Sequence, residues 1–421
     1  MATKNSQRSI YTYANWDGID EPKLLGMLHS NLARGNEIFS FEYNDEWLEG
    51  KFSQNLDPDL QHYSGPQYLP DEKSNFGAFL DSSPDRWGRV LMKRREAVLA
   101  RMESRKEKTL FETDFLLGVF DGHRMGGIRF KESEDGPFLN NNMEMATPPW
   151  TSIRELEQAA RIIEDEDQDN EEYIKGLNLL IAPGSSLGGA RPKASVVDPK
   201  NELWIAKFPS KNDQVDIGAW EMVVQKLGKL AGLNVAEAMS GKFFSKQHTY
   251  LTKRFDRKSN GNRIHFASAM TLLGYKDGTD YNDGASYLEL AEFIIKNGAQ
   301  VDEDLEELWR RIVFYISVSN ADDHLRNHGF LLTEKGWILS PGYDINPVQN
   351  ASGLSLNISE TDNALEFDLA LGVAEYFRVD ETKANRIIKK VKETVVQWKD
   401  VAEKESISKS ERDAMAKAFK F

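Results

Sequence analysis

The order of strand-like and helix-like segments limits the folds open to this chain. Residues 194–197 are apolar and β-branched, residues 198–201 form a polar turn, and residues 202–208 alternate again, which predicts a β-hairpin. Further on, apolar residues recur at helical spacing in two stretches: Leu305, Leu308, Ile312 and Ile316, then Ala384, Ile387, Ile388, Val391, Val395 and Trp398. Strands followed by helices predict an α+β protein with a β-rich lobe and an α-rich lobe.

Other local patterns complete this outline. The first part mixes short apolar segments, such as residues 38–43, with turn residues, and is interpreted as small strands. Further helices are predicted in three places: at about 85–108, at 153–163 and at 217–231, where Gly232 is a typical stop. Residues 132–149 are rich in Asn, Pro and acids, which favours a linker, and the acidic run 164–172 is interpreted as solvated.

Composition excludes several classes of function. The chain has 421 residues, enough for two or more domains, and 53 Lys plus Arg against 67 Asp plus Glu give it a net charge of −14. An acidic chain is a poor nucleic-acid binder by itself, because DNA affinity depends on cations that meet phosphates. The lack of cysteine excludes disulfides, thiol catalysis and Cys-ligated zinc. Without an apolar signal or spanning segment, we expect a soluble, cytoplasmic protein that does not enter a membrane.

A glycine-rich segment, PGSSLGGARPK at residues 183–193, precedes the predicted hairpin. Glycines let a backbone approach a ligand closely and let successive N–H groups point at an anion. The segment is not a Walker A motif, which needs Gly-Lys-Ser/Thr at the start of a helix. By itself it is equally typical of a plain flexible loop.

Lys207 ends the predicted hairpin, and Glu221 lies on the helix that follows. A lysine among apolar strand residues is costly unless its ammonium meets a partner, and Glu221 is a candidate for that partner. A glycine-rich loop followed by a strand lysine resembles the nucleotide site of protein kinases. The alternatives are an edge-strand lysine that points to water and a first-turn glutamate favoured by the helix dipole.

The sharpest pattern follows the helix that contains Ile316. Asp322 and Asn327 have the Asp-x-x-x-x-Asn spacing of a kinase catalytic loop, in which the Asp accepts the substrate proton and the Asn binds magnesium. A second hairpin, predicted at 329–339, leads to Asp344, where a kinase has its metal-binding Asp. Magnesium prefers such carboxylate and amide oxygens. Loop Asp and Asn residues also cap helices and form turns, which is the alternative.

Two histidines, His324 and His328, lie four residues apart in this segment. That spacing suits zinc on a helix, but Asn327 and Gly329 argue against a continuous helix, and no glutamate lies between the histidines in the metalloprotease pattern. His324 is therefore interpreted as a structural residue that orients the loop.

In this order, the motifs resemble the HipA family of serine/threonine kinases over most of the chain. They are listed here by residue number: Ser83–Arg89 (SPDRWGR), Ser186–Lys193 (SLGGARPK), Lys207–Pro209 (KFP), Lys253–Arg257 (KRFDR), Asp322-Asp323-His324 with Asn327, and Tyr343-Asp344. One departure is Arg191-Pro192, which replaces a more polar pair seen in some members of the family.

The resemblance implies a two-lobed, protein-kinase-like fold with an extra N-terminal β-rich subdomain. The three implied parts are the N-terminal subdomain at 1–130, a kinase-like N-lobe at 150–258 and a helical C-lobe at 259–421. It also implies ATP and Mg²⁺ as cofactors, with these residues at the nucleotide: Ser186, Gly188, Gly189, Lys193, Lys207, Glu221 and His324. Asp322 and Lys207 would be catalytic, and Asn327 and Asp344 would bind the metal.

The same resemblance implies regulation and partners. Autophosphorylation of Ser186, with Ser185 as the second choice, would add about −1.5 to −2 charge beside the ATP phosphates and shut the site. The partner would be a small DNA-binding antitoxin similar to HipB, which brings the toxin kinase to DNA. The substrate would be a protein of translation, for which an aminoacyl-tRNA synthetase is the example.

Two other functions fit the same residues. One is a small-molecule phosphotransferase on the same scaffold, and the other is a catalytically silent corepressor that binds the antitoxin. The basic stretch between Arg86 and Lys108 is interpreted either as a face for DNA or an acidic partner or as a solvated helix face.

Overall fold

The computed structural model describes residues 7–33, 35–50, 54–70, 73–143, 148–164, 171–181, 189 and 191–421. The chain divides into two compact units: the first comprises Met1–Ala206 and Asp256–Ala267, and the second comprises Lys207–Phe255 and Ser268–Phe421. Helices and strands are mixed along the chain, as the α+β prediction requires. The three-part division at 130, 150 and 258 stays a prediction.

The first unit begins with a five-stranded sheet in the order β4-β3-β2-β1-β5. Its strands are β1 Gln7–Ala14, β2 Lys23–Ala33, β3 Asn36–Tyr43, β4 Gln67–Tyr68 and β5 Ile128–Lys131. Antiparallel registers place Ile10 opposite Leu28 and Leu28 opposite Phe41, and all three side chains are buried. One face of the sheet therefore forms an apolar core, because alternate strand residues point to the same side.

Helices and a hairpin complete the first unit. They are α1 Asp45–Leu48, α2 Gly77–Leu80, α3 Arg86–Met102, α4 Glu112–Gly118, α5 Ile153–Glu164, α6 Glu171–Ile181, β6 Lys193–Val197 and β7 Leu203–Lys207. The helix predicted at 153–163 and the hairpin after the glycine-rich segment are both present. Within the residues predicted as a linker, Phe138 packs edge-on against Tyr13, and the Leu139 N–H donates to the Phe130 carbonyl at 2.9 Å.

The basic helix α3 is shorter than predicted. Several basic side chains of the stretch form ion pairs with acidic side chains of the same unit. Asp85 caps its start by accepting the Gly88 N–H at 2.7 Å. The helix ends at Met102, and after it Ser104 has a left-handed backbone conformation with φ 52° and the Arg105 guanidinium bonds Glu96 at 2.5 Å. Arg89 binds Glu112 at 2.5 Å. These pairs occupy part of the charge of the stretch, which favours the solvated helix face over a face for DNA or an acidic partner.

The second unit is mainly helical. Its elements are α7 Ile217–Ala231, β8 Ala238–Gly241, β9 Thr249–Lys253, α8 Ala269–Leu272, α9 Tyr287–Asn297, α10 Val301–Val318, β11 Gly329–Thr333, β12 Gly336–Leu339, α11 Phe367–Gly372, α12 Glu381–Val395, α13 Trp398–Lys404 and α14 Lys409–Met415; β10 Phe266–Ser268 lies where the two units meet in sequence. The predicted bounds of α7 are confirmed, and Gly232 ends it in the left-handed region with φ 92°.

Helix α10 is the centre of the second unit. The four apolar residues that predicted it, from Leu305 to Ile316, are all 0% exposed. The predicted second stretch is a helix only as far as Val395, since Trp398 begins the separate helix α13. The hairpin of β11 and β12 follows α10 and pairs Phe330 with Leu339. In the described part of the chain, no helix combines the length and the apolar character needed to cross a membrane.

Candidate active site

Lys207 and two carboxylates form a close cluster in the second unit. The Lys207 ammonium lies 2.6 Å from Glu221 Oε1 and 2.6 Å from Asp344 Oδ1. The Lys207 side chain is only 12% exposed, and that of Glu221 is 4% exposed. Lys207 therefore forms an ion pair with Glu221, the helix glutamate that the sequence analysis named as its candidate partner. It also meets Asp344, which follows the second hairpin.

The charge of Lys207 is secured by this cluster. Burial acts to lower the pKa of the lysine, but the carboxylates of Asp344 and Glu221 outweigh burial and hold the pKa above its ordinary value. The ring centroid of Tyr250 lies 5.6 Å from the ammonium and adds a cation–π contact. Lys207 is therefore a fixed positive charge throughout the neutral pH range.

Asp344 is held in an unusual backbone conformation. Its φ is +56°, in the left-handed region that non-glycine residues seldom adopt. Asn346 supports it, because its amide Nδ2 donates to Asp344 Oδ1 at 3.2 Å while its backbone N–H donates to Asn320 Oδ1 at 3.0 Å. Sequence reasoning missed Asn346 and Asn320. Their position in the sequence could have indicated them, because Asn346 follows Asp344 by two residues and Asn320 precedes Asp322 by two residues.

The predicted catalytic loop directly follows helix α10 along the chain. The helix ends at Val318, its C-cap residue Ser319 has φ 49°, and the chain then turns through residues 320–328. Asn327 Nδ2 donates to the Asp322 carbonyl at 2.7 Å, which closes the loop on itself. The Asp322 side chain is 59% exposed, and His324 Nε2 lies 3.8 Å from its Oδ1. More than half of the Asp322 side chain is thus in contact with solvent.

Asp323 and His328 are two buried titratable groups of this loop, and sequence reasoning gave neither of them a role. Burial raises the pKa of Asp323 to about 7, and burial lowers the pKa of His328 to about 3. His328 is 0% exposed, and its Nε2 lies 3.1 Å from the Asp323 carbonyl. The role of a structural histidine, assigned from the sequence to His324, therefore suits His328 better. His324 has a side chain that is 38% exposed.

The glycine-rich segment is only partly visible. Ser185, Ser186 and Gly188 lie outside the described residues, and Gly189 has φ +95°. In the first unit, the Lys193 ammonium lies 2.8 Å from Asp85 Oδ2 and 3.2 Å from the Gly189 carbonyl. The Lys193 and Asp85 side chains are 2% and 1% exposed. Lys193 is thus held in a buried ion pair with the Ser83–Arg89 motif, and its contact with a nucleotide stays a prediction.

The side chains of Asp344 and Asn327 suit a magnesium ion chemically. Magnesium takes hard oxygen ligands, usually one or two carboxylates with waters and phosphate oxygens. Asp344 offers a carboxylate, and Asn327 offers an amide oxygen, since its Nδ2 is engaged with the Asp322 carbonyl. The residues present therefore fit the metal that the resemblance implies.

The chain is similar to known proteins of one family. The family model described as HipA-like C-terminal domain matches residues 185–399, about half of the chain. The serine/threonine-protein kinase toxin HipA of Shewanella oneidensis is 23% identical over 258 residues, which is 54% of this chain and 58% of that protein. A Haemophilus influenzae protein is 26% identical over 179 residues, 38% of this chain and 52% of that protein. The chain thus matches only about half the length of these two relatives.

A solved structure extends the match to the whole fold. The HipA structure from Shewanella oneidensis MR-1, in its complex with HipB and operator DNA, aligns with a TM-score of 0.62 and 17% identity. The alignment covers 97% of this chain and 94% of that one. It confirms the predicted fold class, in which a β-rich N-terminal part precedes a kinase-like fold with a helical C-terminal part. With the family model and this shared fold, the chain belongs to the HipA-like family.

Proposed function

We propose that this chain is a protein kinase that transfers a phosphoryl group from ATP, with magnesium, to a serine or threonine hydroxyl, and that it is the toxin of a toxin–antitoxin pair. The observation that carries the proposal is the placement of Lys207 between Glu221 and Asp344 at 2.6 Å from each. In protein kinases a strand lysine pairs with a helix glutamate, and a metal-binding aspartate lies at the same nucleotide site. The relative named as a serine/threonine-protein kinase toxin supports the reaction class.

Each residue of the site has a separate task in this reaction. The Lys207 ammonium binds phosphate oxygens of ATP, and Glu221 fixes its direction. Asp322 accepts the proton of the substrate hydroxyl as that oxygen attacks the γ-phosphorus, and the bond to the bridging oxygen breaks to release ADP. Asn327 and Asp344 would hold magnesium, which neutralises charge on the phosphates.

Regulation by the glycine-rich segment is part of the proposal. Phosphorylation of Ser186, or of Ser185 as the second choice, would place about −1.5 to −2 charge next to the ATP phosphates. Like charges so close repel, and the modified loop would leave the site. This device would limit the toxin by its own activity.

The proposed partner is a small DNA-binding antitoxin similar to HipB. The HipA of Shewanella oneidensis MR-1 has been solved with HipB and its operator DNA, which supports a partner of this kind. The net charge of −14 disfavours direct DNA binding by this chain, so DNA would be reached through the antitoxin. A cytoplasmic location and a protein substrate from translation, such as an aminoacyl-tRNA synthetase, complete the proposal.

Radiolabelled ATP tests this function directly. The purified chain with magnesium is expected to label itself, and Asp322→Ala is expected to abolish labelling while the protein stays folded. Asp413→Ala, which removes an exposed carboxylate on α14, is the matched control and should label like wild type. Phosphopeptide mass spectrometry should assign the label to Ser186 or Ser185. Label that appears only on metabolites of a cell extract would favour a small-molecule phosphotransferase, and no labelling at all would favour the silent corepressor.

A further inference from the structure

A buried carboxylate lies directly beside the proposed catalytic base. Asp323 is 0% exposed, whereas the side chain of Asp322 is 59% exposed. Asp323 Oδ2 accepts the hydroxyl of Tyr287 at 2.5 Å, and Oδ1 accepts the backbone N–H of Ser355 at 2.6 Å. Tyr287 is the first residue of α9, and Ser355 lies in the irregular segment that follows Asp344. One carboxylate thus joins the catalytic loop to two distant segments of the second unit.

Neighbouring hydrogen bonds reinforce the same junction. The Ser355 hydroxyl donates to the Ala321 carbonyl at 2.8 Å, and the Val348 N–H donates to the Ser319 carbonyl at 3.1 Å. The segment after Asp344 is therefore fastened to the loop on the N-terminal side of Asp322 as well as at Asp323. On the other side, Asn327 holds the Asp322 carbonyl.

Burial raises the free-energy cost of ionising the Asp323 carboxyl group. An ionised carboxylate loses its hydration on burial, and here burial, with the nearby Asp322 charge, raises the pKa of Asp323 to about 7. An asparagine would avoid that cost, although its one side-chain oxygen would replace only one of the two acceptors. A charged acceptor, however, forms shorter and stronger hydrogen bonds than a neutral one. A buried aspartate is therefore favoured over an asparagine at a site where the position of the loop matters more than the stability of the fold.

We propose that Asp323 is a positioning residue of the kinase: through Tyr287 and Ser355 it fixes the catalytic-loop backbone so that the Asp322 carboxylate stays where it accepts the substrate proton. This inference rests on the proposed function. It assigns no contact with substrate to Asp323, which acts through its neighbour.

The geometry predicts which kinetic constant changes. The nucleotide cluster of Lys207, Glu221 and Asp344 makes no hydrogen bond to Asp323 among the bonds that the described residues show. Loosening Asp323 should therefore misplace Asp322 and lower kcat, while the affinity for MgATP and the KM for ATP stay near wild type. A misplacement on the order of 1 Å costs roughly a hundredfold in rate.

Four variants test the inference on the full chain. Asp323→Ala removes both acceptors, Asp323→Asn keeps a neutral acceptor, and Tyr287→Phe removes only the hydroxyl. Asp304→Asn is the matched control, because Asp304 is also a buried carboxylate that accepts a backbone N–H, from Leu339 at 2.9 Å. The measurements are kcat and KM for autophosphorylation, MgATP affinity by thermal shift, and hydrogen exchange of the amides at 321–328 and 351–358.

The expected result is a split between catalysis and binding. Asp323→Ala should lose roughly tenfold to a hundredfold in kcat, Asp323→Asn should recover part of that loss, and both should bind MgATP like wild type. Asp323→Ala should also exchange faster in both segments. Unchanged kcat in folded Asp323→Ala and Tyr287→Phe, or unchanged exchange, would overturn the inference. A wild-type chain that transfers no phosphate would refute the proposed function instead, and the exchange experiment would still decide whether Asp323 fastens the loop.

Discussion

Lys207 carries a charge that its apolar strand would not tolerate without partners. Its neighbours Glu221 and Asp344 lie 14 and 137 residues further along the chain. The local glutamate was predictable, because the next helix begins shortly after the strand. The cluster with Asp344 was predicted only through the order of kinase motifs. Asp323 was missed, since its burial depends on Tyr287 and Ser355, which are 36 and 32 residues away.

Removing one member of the Lys207 cluster should destabilise the protein. Lys207→Met leaves Glu221 and Asp344 without their ammonium, and breaking a buried ion pair from one side costs about 3–5 kcal/mol. The double variant Lys207→Met, Glu221→Gln should recover part of that loss because one buried charge is gone. Urea unfolding measures both. Equal unfolding midpoints for the single and the double variant would contradict the pairing.

The pH dependence of stability should report the buried Asp323. Its pKa is raised from 3.8 to about 7 in the folded protein by burial, so the folded state binds more protons than the unfolded state between those values. The unfolding free energy of wild type relative to Asp323→Asn should therefore fall as the pH rises from about 4 to about 7, by at most about 1.4 kcal/mol per pH unit, and then level off.

Asp304 provides the control for that titration. Burial raises the pKa of Asp304 to about 6, so the corresponding difference from Asp304→Asn should level off about one pH unit earlier. A difference between wild type and Asp323→Asn that does not change with pH would show that Asp323 is not buried as described.

At the scale of elements, apolar spacing predicted helices well where caps and packing agree with it. Helix α7 has the predicted bounds because Asp216 caps its start, accepting the Ala219 N–H at 3.2 Å, and Gly232 ends it. Helix α6 was missed, since the acidic residues before it favoured a solvated segment. Its buried side chains Tyr173, Leu177 and Leu180 do follow helical spacing.

Gly218 allows α7 to approach the chain at His248. A Cβ on Gly218 would lie 2.1 Å from the His248 carbonyl oxygen, so one backbone must move. We expect Gly218→Ala to destabilise the protein by about 1–3 kcal/mol, in the range of overpacked sites. Gly372→Ala is the control on α11, because nothing lies within 4 Å of the position that a Cβ would take there. This substitution should leave the stability of the protein unchanged or raise it. Thermal unfolding of both variants decides, and a Gly218→Ala protein as stable as wild type would refute the close approach.

On the scale of the whole molecule, the fold was predictable as a class and its details were not. The sequence of strands, glycine-rich segment, hairpin and helices indicated a kinase-like α+β fold, and the HipA structure at 17% identity confirms it. The ion pairs that the basic residues form within the first unit were not predictable from the sequence. Arg89 and Arg105 find their acidic partners only once α3 and its neighbours have folded.

The charge of the molecule gives a test of its proposed dependence on an antitoxin. The isolated chain, with a net charge of −14, should bind duplex DNA with a dissociation constant weaker than about 10 µM at about 150 mM salt. Fluorescence anisotropy with a labelled duplex measures this. Submicromolar binding by the chain alone would mean that it contacts DNA without an antitoxin.

Magnesium-dependent binding of ATP is the most direct measurement of the proposed site. Calorimetric titration of the wild-type chain should show ATP binding that strengthens when magnesium is added. Asp344→Asn should lose that magnesium effect, and Lys207→Ala should weaken ATP binding with or without magnesium. Equal ATP affinity with and without magnesium, or in the wild type and both variants, would contradict a nucleotide–metal site built from Lys207, Glu221 and Asp344.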